Sequence, residues 1–200
     1  EPKMSQYFEN DDNLKSKKRY LNLYINDKNI PFLSDSGVFS NNQIDYGSFV
    51  FLKELLKEKK VNKILDMGCG YGVLGITLKV FDMASHIDMF DINSKAISLC
   101  EYNIKNNNLD NITCMQSDGF LNVNDKYDMI VINPPIRAGK KVIYKMFDDS
   151  ITYLNNNGAL YIVIKKSLGA LSAINKLKTI YQNVVVLNIE KGYYIIKSFS

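Results

Sequence analysis

Histidine occurs once in this chain of 200 residues, at position 86. A single imidazole excludes a multi-histidine metal site and a histidine-based nucleophile triad, and His86 reads as a partly buried residue at a strand edge. Cysteine is nearly as scarce: Cys69, Cys100 and Cys114 are odd in number and share neither metal-ligand nor disulfide spacing. With no secretory leader pattern, they predict a reducing, cytoplasmic setting without a bound metal. No apolar run approaches ~18 residues, so no segment is expected to cross a membrane. Internal repeats and low-complexity linkers are missing too, which leaves one globular unit as the expected organisation.

What is present fits that unit. At 46% hydrophobic residues the chain can bury a core of its own. A net charge of +4 allows an anionic partner without demanding one. The excess is uneven, because Lys15, Lys17, Lys18 and Arg19 crowd together ahead of Tyr20, Tyr24 and Phe32. Basic residues interleaved with aromatics can track a nucleic-acid backbone; the alternative is a solvated edge. Glu1-Pro2-Lys3 precede Met4 and are set aside from fold reasoning.

Segments 20–25 and 29–33 flank an Asn26-Asp27-Lys28 turn and predict a hairpin inside an N-terminal extension, residues 1–37. The main domain is expected over residues 38–200. From Asp45 to about Lys59, Phe49, Phe51, Leu52, Leu55 and Leu56 fall near helical spacing. Strands then alternate with helices: strands at 64–65, 86–90, 112–116, 127–132 and 159–164, helices at 73–81, 95–106, 141–154 and 172–180. Segments 184–189 and 193–199 flank Glu190-Lys191-Gly192, a second hairpin. The pattern predicts an α/β fold with a mostly parallel, doubly wound sheet whose last strand runs antiparallel. Rossmann-like methyltransferases have that sheet; nicotinamide dehydrogenases do not.

Strand 64–65 runs into Asp66-Met67-Gly68-Cys69-Gly70-Tyr71-Gly72, with Gly75 closing the turn as a helix opens. Glycines let the chain turn sharply and let a cofactor reach backbone amides at the helix N-terminus. Gly70-x-Gly72-x-x-Gly75 is also a dinucleotide fingerprint, and Asp91 lies about 20 residues on, where a ribose diol is gripped. A dinucleotide and S-adenosylmethionine both fit so far. Three details favour the second. Asp66 makes the turn Asp-x-Gly-x-Gly-x-Gly. Ser117-Asp118-Gly119 offers a carboxylate and a backbone amide to an adenine edge. Strand 127–132 ends in Asn133-Pro134-Pro135-Ile136, an element that dehydrogenases do not use.

An exocyclic amine on a base, or an amide, is a poor nucleophile because its lone pair is delocalised. Two acceptors that hold its N–H bonds let the nitrogen pyramidalise and aim that lone pair at a methyl donor. Asn133 Oδ1 and the Pro134 carbonyl can form such a pair, with two prolines fixing φ and removing competing donors. A sulfonium supplies a reactive methyl and a neutral leaving group, so no metal is needed. The plain alternative is a Pro-Pro strand terminator with a capping asparagine.

These residues resemble the small-domain class I methyltransferases related to the ribosomal RNA guanine-N2 methyltransferases (RsmC-like). The similar stretches are Ser36-Gly37-Val38-Phe39-Ser40 with Asp45-x-Gly47-Ser48, then 64–72, Asp91-Ile92-Asn93, Gln116-Ser117-Asp118, 133–140 and Gly192-Tyr193-Tyr194. The likeness runs from about Tyr20 to the C-terminus. It implies a Rossmann-like, seven-stranded, mostly parallel sheet with a C-terminal antiparallel hairpin, and S-adenosylmethionine as cofactor. Cofactor contacts are implied at Asp66, Gly68, Gly70, Asp91, Ile92, Asp118, Gly119 and Asn133, and the amine grip at Asn133 and Pro134. Phe39 and Ser40 would close over the cofactor and the target base, joined by Asp45, whose other reading is a helix N-cap. Pro135, Ile136, Arg137, Lys140 and Lys141 would line the substrate side.

The implied activity is methyl transfer to the N2 amine of guanine in 16S-type ribosomal RNA, free or in the small ribosomal subunit. The same grip serves glutamine amides in proteins and adenine N6. A nicotinamide-dependent oxidoreductase and a non-catalytic RNA-binding protein are the readings from other classes. Two departures stand out. Ile136 replaces the aromatic that often follows Asn-Pro-Pro, which leaves Phe39 to supply a ring. Larger members also carry a duplicated N-terminal domain that helps hold RNA. Without it, RNA affinity is expected from the N-terminal extension, from Arg137, Lys140, Lys141, Lys165 and Lys166, or from a second subunit in a homodimer.

Overall fold

A computed structural model describes residues 18–36 and 43–200. Phe39 and Ser40, with the basic Lys15 and Lys17, lie outside those residues. Strands β1 (Lys18–Ile25) and β2 (Lys28–Asp35) pair antiparallel across Asn26-Asp27. Both turn residues have positive φ, 46° and 64°, as a two-residue type I′ turn requires. Alternation turns Leu21, Leu23 and Ile25 into the core and leaves Tyr20, Asn22 and Tyr24 outside.

The remaining elements are α1 (Tyr46–Leu55), β3 (Val61–Met67), α2 (Val73–Val80), β4 (Ala84–Asp91) and α3 (Ser94–Asn106), then β5 (Ile112–Gln116), β6 (Tyr127–Ile132) and α4 (Lys140–Ser150), and last β7 (Leu154–Lys165), α5 (Ala170–Lys178), β8 (Asn183–Glu190) and β9 (Tyr193–Phe199). The seven-stranded sheet has the order β5-β4-β3-β6-β7-β9-β8. Strands β5 to β7 pair in parallel, and β9 is antiparallel to both neighbours. The expected α/β class and terminal hairpin are therefore present. Because the chain moves outward from β3 in one direction and returns to β6 in the other, a crevice opens at the strands' carboxyl ends between them.

Neighbouring residues on each strand feed opposite layers. Ile64, Met129 and Val163 pack with α1, α2, α3 and the N-terminal hairpin, whereas Leu65, Ile130 and Ile162 pack with α4 and α5. The hairpin is fastened by Asn103, which is fully buried on α3. Its Oδ1 accepts from the Leu33 N–H at 2.7 Å, and its Nδ2 donates to the carbonyls of Leu33 at 3.0 Å and Tyr71 at 2.8 Å. One asparagine thus ties the hairpin, α3 and the glycine turn together.

Two helices are shorter than the sequence suggests. The helix expected to reach Lys59 stops at Leu55, where Lys57 and Glu58 donate to Glu54 and Leu55 in tightened turns. The helix expected to reach Leu154 stops at Ser150, whose hydroxyl donates to the Phe147 carbonyl at 2.7 Å and also bonds the Tyr181 hydroxyl at 2.6 Å. A 3-10 turn follows over Ile151–Tyr153, and β7 already begins at Leu154. Its register against β6 jumps from Tyr127↔Leu154 to Met129↔Ala159, so Asn155, Asn156 and Asn157 form an irregular insertion within the strand.

Candidate active site

The glycine turn divides its residues by task. A Cβ at Gly72 would lie 2.6 Å from Ile76 Cδ1, and one at Gly75 would lie 2.4 Å from Met89 Sδ, so these two permit close packing beneath the turn. At Gly68, with φ at 77°, the nearest atom to such a Cβ is Met146 Cε at 4.0 Å. The backbone there faces open space. The turn is anchored by the Phe90 carbonyl, which accepts from the N–H groups of Gly68 at 2.8 Å and Cys69 at 2.9 Å.

Asp66 is buried under the turn. Its Oδ2 accepts from the Gly75 N–H at 2.9 Å, while its Oδ1, also buried, has no hydrogen-bond partner among the described residues. Burial pushes this carboxyl up to about 7; the Gly75 N–H works against the shift and the charge of Asp91 adds to it. Asp91 ends β4 and receives the Gly70 N–H on Oδ2 at 2.8 Å and the Asn93 N–H on Oδ1 at 2.9 Å. Each oxygen keeps a second acceptor site for a diol.

A cleft of about 780 Å³ opens beside this turn. Gly68, Asp91, Ile92, Asp118, Gly119 and Pro135 line it. Ile92 is 62% exposed and Leu121 77%, and both line the cleft, where they offer apolar surface to a flat group. Phe120 and Tyr153 stack at 4.7 Å to form part of the wall, and Val142 and Met146 on α4 contribute to the same lining. Ser117 shapes the loop: its N–H donates to the Asp91 carbonyl at 2.9 Å and its hydroxyl to the Gly119 carbonyl at 2.7 Å. Open backbone at Gly68, an orphaned acceptor on Asp66, a diol acceptor on Asp91 and an apolar slot together fit S-adenosylmethionine, with its cationic amino-acid end, ribose and adenine.

Asn133 stands where β6 leaves the sheet, half-buried. Its Nδ2 donates to Ser48 Oγ at 3.1 Å and approaches Asp45 Oδ2 at 3.4 Å. Asp45 is also the N-cap of α1, accepting from the Ser48 N–H at 3.0 Å. With the amide nitrogen occupied on that side, Oδ1 is the atom left to accept. Pro134 is buried; past it the chain turns through Ile136–Ala138, with Ala138 donating to the Pro135 carbonyl at 2.8 Å.

The remaining sequence candidates spread along the rim. Ile136 is half-buried and packs against the α4 and α5 core, and Arg137, Lys140, Lys141 and Lys166 are exposed. Lys140 Nζ sits 5.2 Å from the Tyr144 ring, and Lys165 Nζ 5.5 Å from the Tyr193 ring. Pro135 reaches the cleft lining; Asn133, Pro134, Arg137, Lys140 and Lys141 do not. Sequence reasoning gave no role to Ser48, Phe120, Leu121, Val142 or Met146. The i,i+4 spacing of Val142 and Met146 and the apolar pair after Gly119 were the available signals.

Residues 29–197 match the model of a family described as methyltransferase small domain. The "uncharacterized protein YbxB" of Bacillus subtilis is similar at 40% identity over 194 residues, covering 96% of each chain. The ribosomal RNA small subunit methyltransferase C of Actinobacillus pleuropneumoniae serotype 3 is 32% identical over 182 residues, covering 88% of this chain and 54% of that protein. The chain thus spans about half the length of that relative. Among solved structures, the T. thermophilus 16S rRNA N2 G1207 methyltransferase (RsmC) in complex with AdoMet and guanosine superimposes with a TM-score of 0.81 at 22% identity, covering 94% of this chain and 52% of that one. M. jannaschii TYW2 in complex with AdoMet gives a TM-score of 0.66 at 18% identity, covering 92% and 86%.

Proposed function

Because the chain belongs to the methyltransferase small domain family, we propose that it methylates the N2 amine of guanine in small-subunit ribosomal RNA. Its methyl donor is S-adenosylmethionine, the AdoMet found in both of the solved neighbours described above. Bound in the cleft, that cofactor supplies an electrophilic methyl on a sulfonium. The observation that carries the acceptor reading is the orientation of Asn133, whose Nδ2 is engaged by Ser48 and Asp45. The amide therefore presents an acceptor, and an amine with two N–H bonds is the partner that suits it.

In this reading Asn133 Oδ1 and the Pro134 carbonyl each take one N–H of the target amine, which directs its lone pair toward the cleft. Pro134 and Pro135 hold the two acceptors at a fixed separation, so little reorganisation is needed when the nitrogen becomes tetrahedral. Asp91 orients the ribose, and Ile92, Gly119 and Leu121 take the adenine. The choice of ribosomal RNA is supported by relatives named for it and by the guanosine in one solved neighbour.

The test is incubation with S-adenosylmethionine and ribosomal RNA or small subunits, followed by nucleoside mass spectrometry. N2-methylguanosine is the expected product. N6-methyladenosine, or label recovered only in protein, would replace this reading with one of its two rivals.

A further inference from the structure

Across Asn133 from the cofactor cleft, the far side of the site is built from the end of β7, the β8–β9 turn and the start of α1. Lys191 and Gly192 both have positive φ, 48° and 82°, and the Gly192 carbonyl accepts from the Lys166 N–H at 2.8 Å. This clamps the turn to β7 and brings the backbones of Lys165, Lys166 and Lys191 to one corner. Two of these ammoniums rest on aromatic faces, Lys165 on Tyr193 at 5.5 Å and Lys191 on Tyr46 at 4.9 Å. The rings lie 6.0 Å apart, and Tyr46 is oriented by its hydroxyl donating to Glu190 at 2.9 Å.

Glu190 is already engaged by Lys53 at 2.9 Å, and no carboxylate forms an ion pair with Lys165 among the described residues. The corner thus sets Lys53, Lys165, Lys166 and Lys191 against Glu190 and Asp45, leaving positive charge in surplus beside the amine grip. Its link to that grip is short. A Cβ at Gly47 would lie 2.8 Å from Tyr193 Cε1 and 3.1 Å from Asp45 Oδ2, the same oxygen that faces Asn133 Nδ2. The glycine lets Tyr193 pack directly behind the α1 cap.

Resting on the guanine-N2 reading above, we propose that this corner binds the phosphodiester backbone of the acceptor RNA next to the target nucleotide, with Lys165, Lys166 and Lys191 as the phosphate ligands. Cation–π contacts pre-order the two ammoniums, which lowers the entropy lost when each meets a phosphate. The rings of Tyr46 and Tyr193 keep them on the acceptor side of Asn133, away from the cofactor. The strand is therefore expected to enter over β7 and the β8–β9 turn.

The experiment measures binding of a fluorescein-labelled, guanine-containing single-stranded RNA by anisotropy across a salt series, alongside methyl transfer. Each lysine lost from a phosphate contact should flatten the slope of log affinity against log salt by about 0.7. Lys165→Ala with Lys191→Ala should show this flattening, with cofactor affinity by calorimetry unchanged. Lys178→Ala, which removes one charge at the opposite end of the sheet, should leave the slope where it was. Flattening by about 0.7 in Lys178→Ala, or an unaltered slope in the double variant, overturns the proposal. Wild-type protein that binds RNA through these lysines but yields no N2-methylguanosine leaves the corner standing and removes the reaction assigned above. Wild-type protein that does not bind RNA removes both.

Discussion

The side-chain amide of Asn133 donates to the hydroxyl of Ser48 at 3.1 Å, joining the end of β6 to the first turn of α1. The two residues are 85 positions apart. Helix α1 is therefore more than a layer over the sheet, because its capped N-terminus engages the amide nitrogen of the asparagine and leaves Oδ1 as the free acceptor atom. In the proposed mechanism Ser48 and Asp45 are positioning residues that act through Asn133.

Ser48→Ala should lower kcat about ten-fold, in line with one hydrogen bond of ~1 kcal/mol and a partly misoriented amide. Cofactor affinity and thermal stability should stay close to wild type, and Ser48→Thr should restore turnover. Asp45→Ala should add a stability loss of about 1 kcal/mol, because the α1 cap goes with it. A Ser48→Ala enzyme with wild-type kcat would remove the positioning role.

Asn133→Ala should reduce methyl transfer by 10² or more, the scale of removing one oriented polar group from a reacting centre. The side chain does not line the cofactor cleft, so S-adenosylmethionine binding by calorimetry should change by no more than a few-fold. Near-full turnover with bound cofactor would defeat the amine-grip mechanism.

The fold was legible because its signals are local. Short apolar strands, a glycine turn and the Glu190-Lys191-Gly192 hairpin each follow from a few adjacent residues. The cleft walls were less legible. Ile92 and Leu121 look like ordinary aliphatics, and only the fold places both in the cleft lining. Asn103 could not be found at all, since its partners Leu33 and Tyr71 lie 70 and 32 residues away. The cysteines give the same lesson: Cys69 and Cys100, without any motif spacing, bring their sulfurs to 3.9 Å across the turn.

Gly75→Ala should destabilise the protein by about 1–3 kcal/mol, because the new methyl would meet Met89 Sδ inside a packed layer. Gly119→Ala meets no atom within 4 Å, so its cost should be confined to the positive φ, about 1 kcal/mol. Urea unfolding of the two variants should rank them in that order. The reverse order would mean that the glycines are divided wrongly between packing and the cofactor wall.

Asp66 sets a dependence of stability on pH. Its carboxyl titrates at about 7 in the folded chain because burial disfavours the charge, against about 3.9 in an unfolded one. Between those values the native state holds the proton more tightly, so unfolding releases it and stability falls as pH rises. Below about 4 both states are protonated and the group contributes nothing; above about 7 the full penalty applies, on the order of a few kcal/mol. Asp66→Asn cannot titrate, so without cofactor its stability relative to wild type should climb from pH 4 to pH 7 and then level off. Parallel urea curves for the two proteins across that range would mean that Asp66 is ionised in the fold despite its burial.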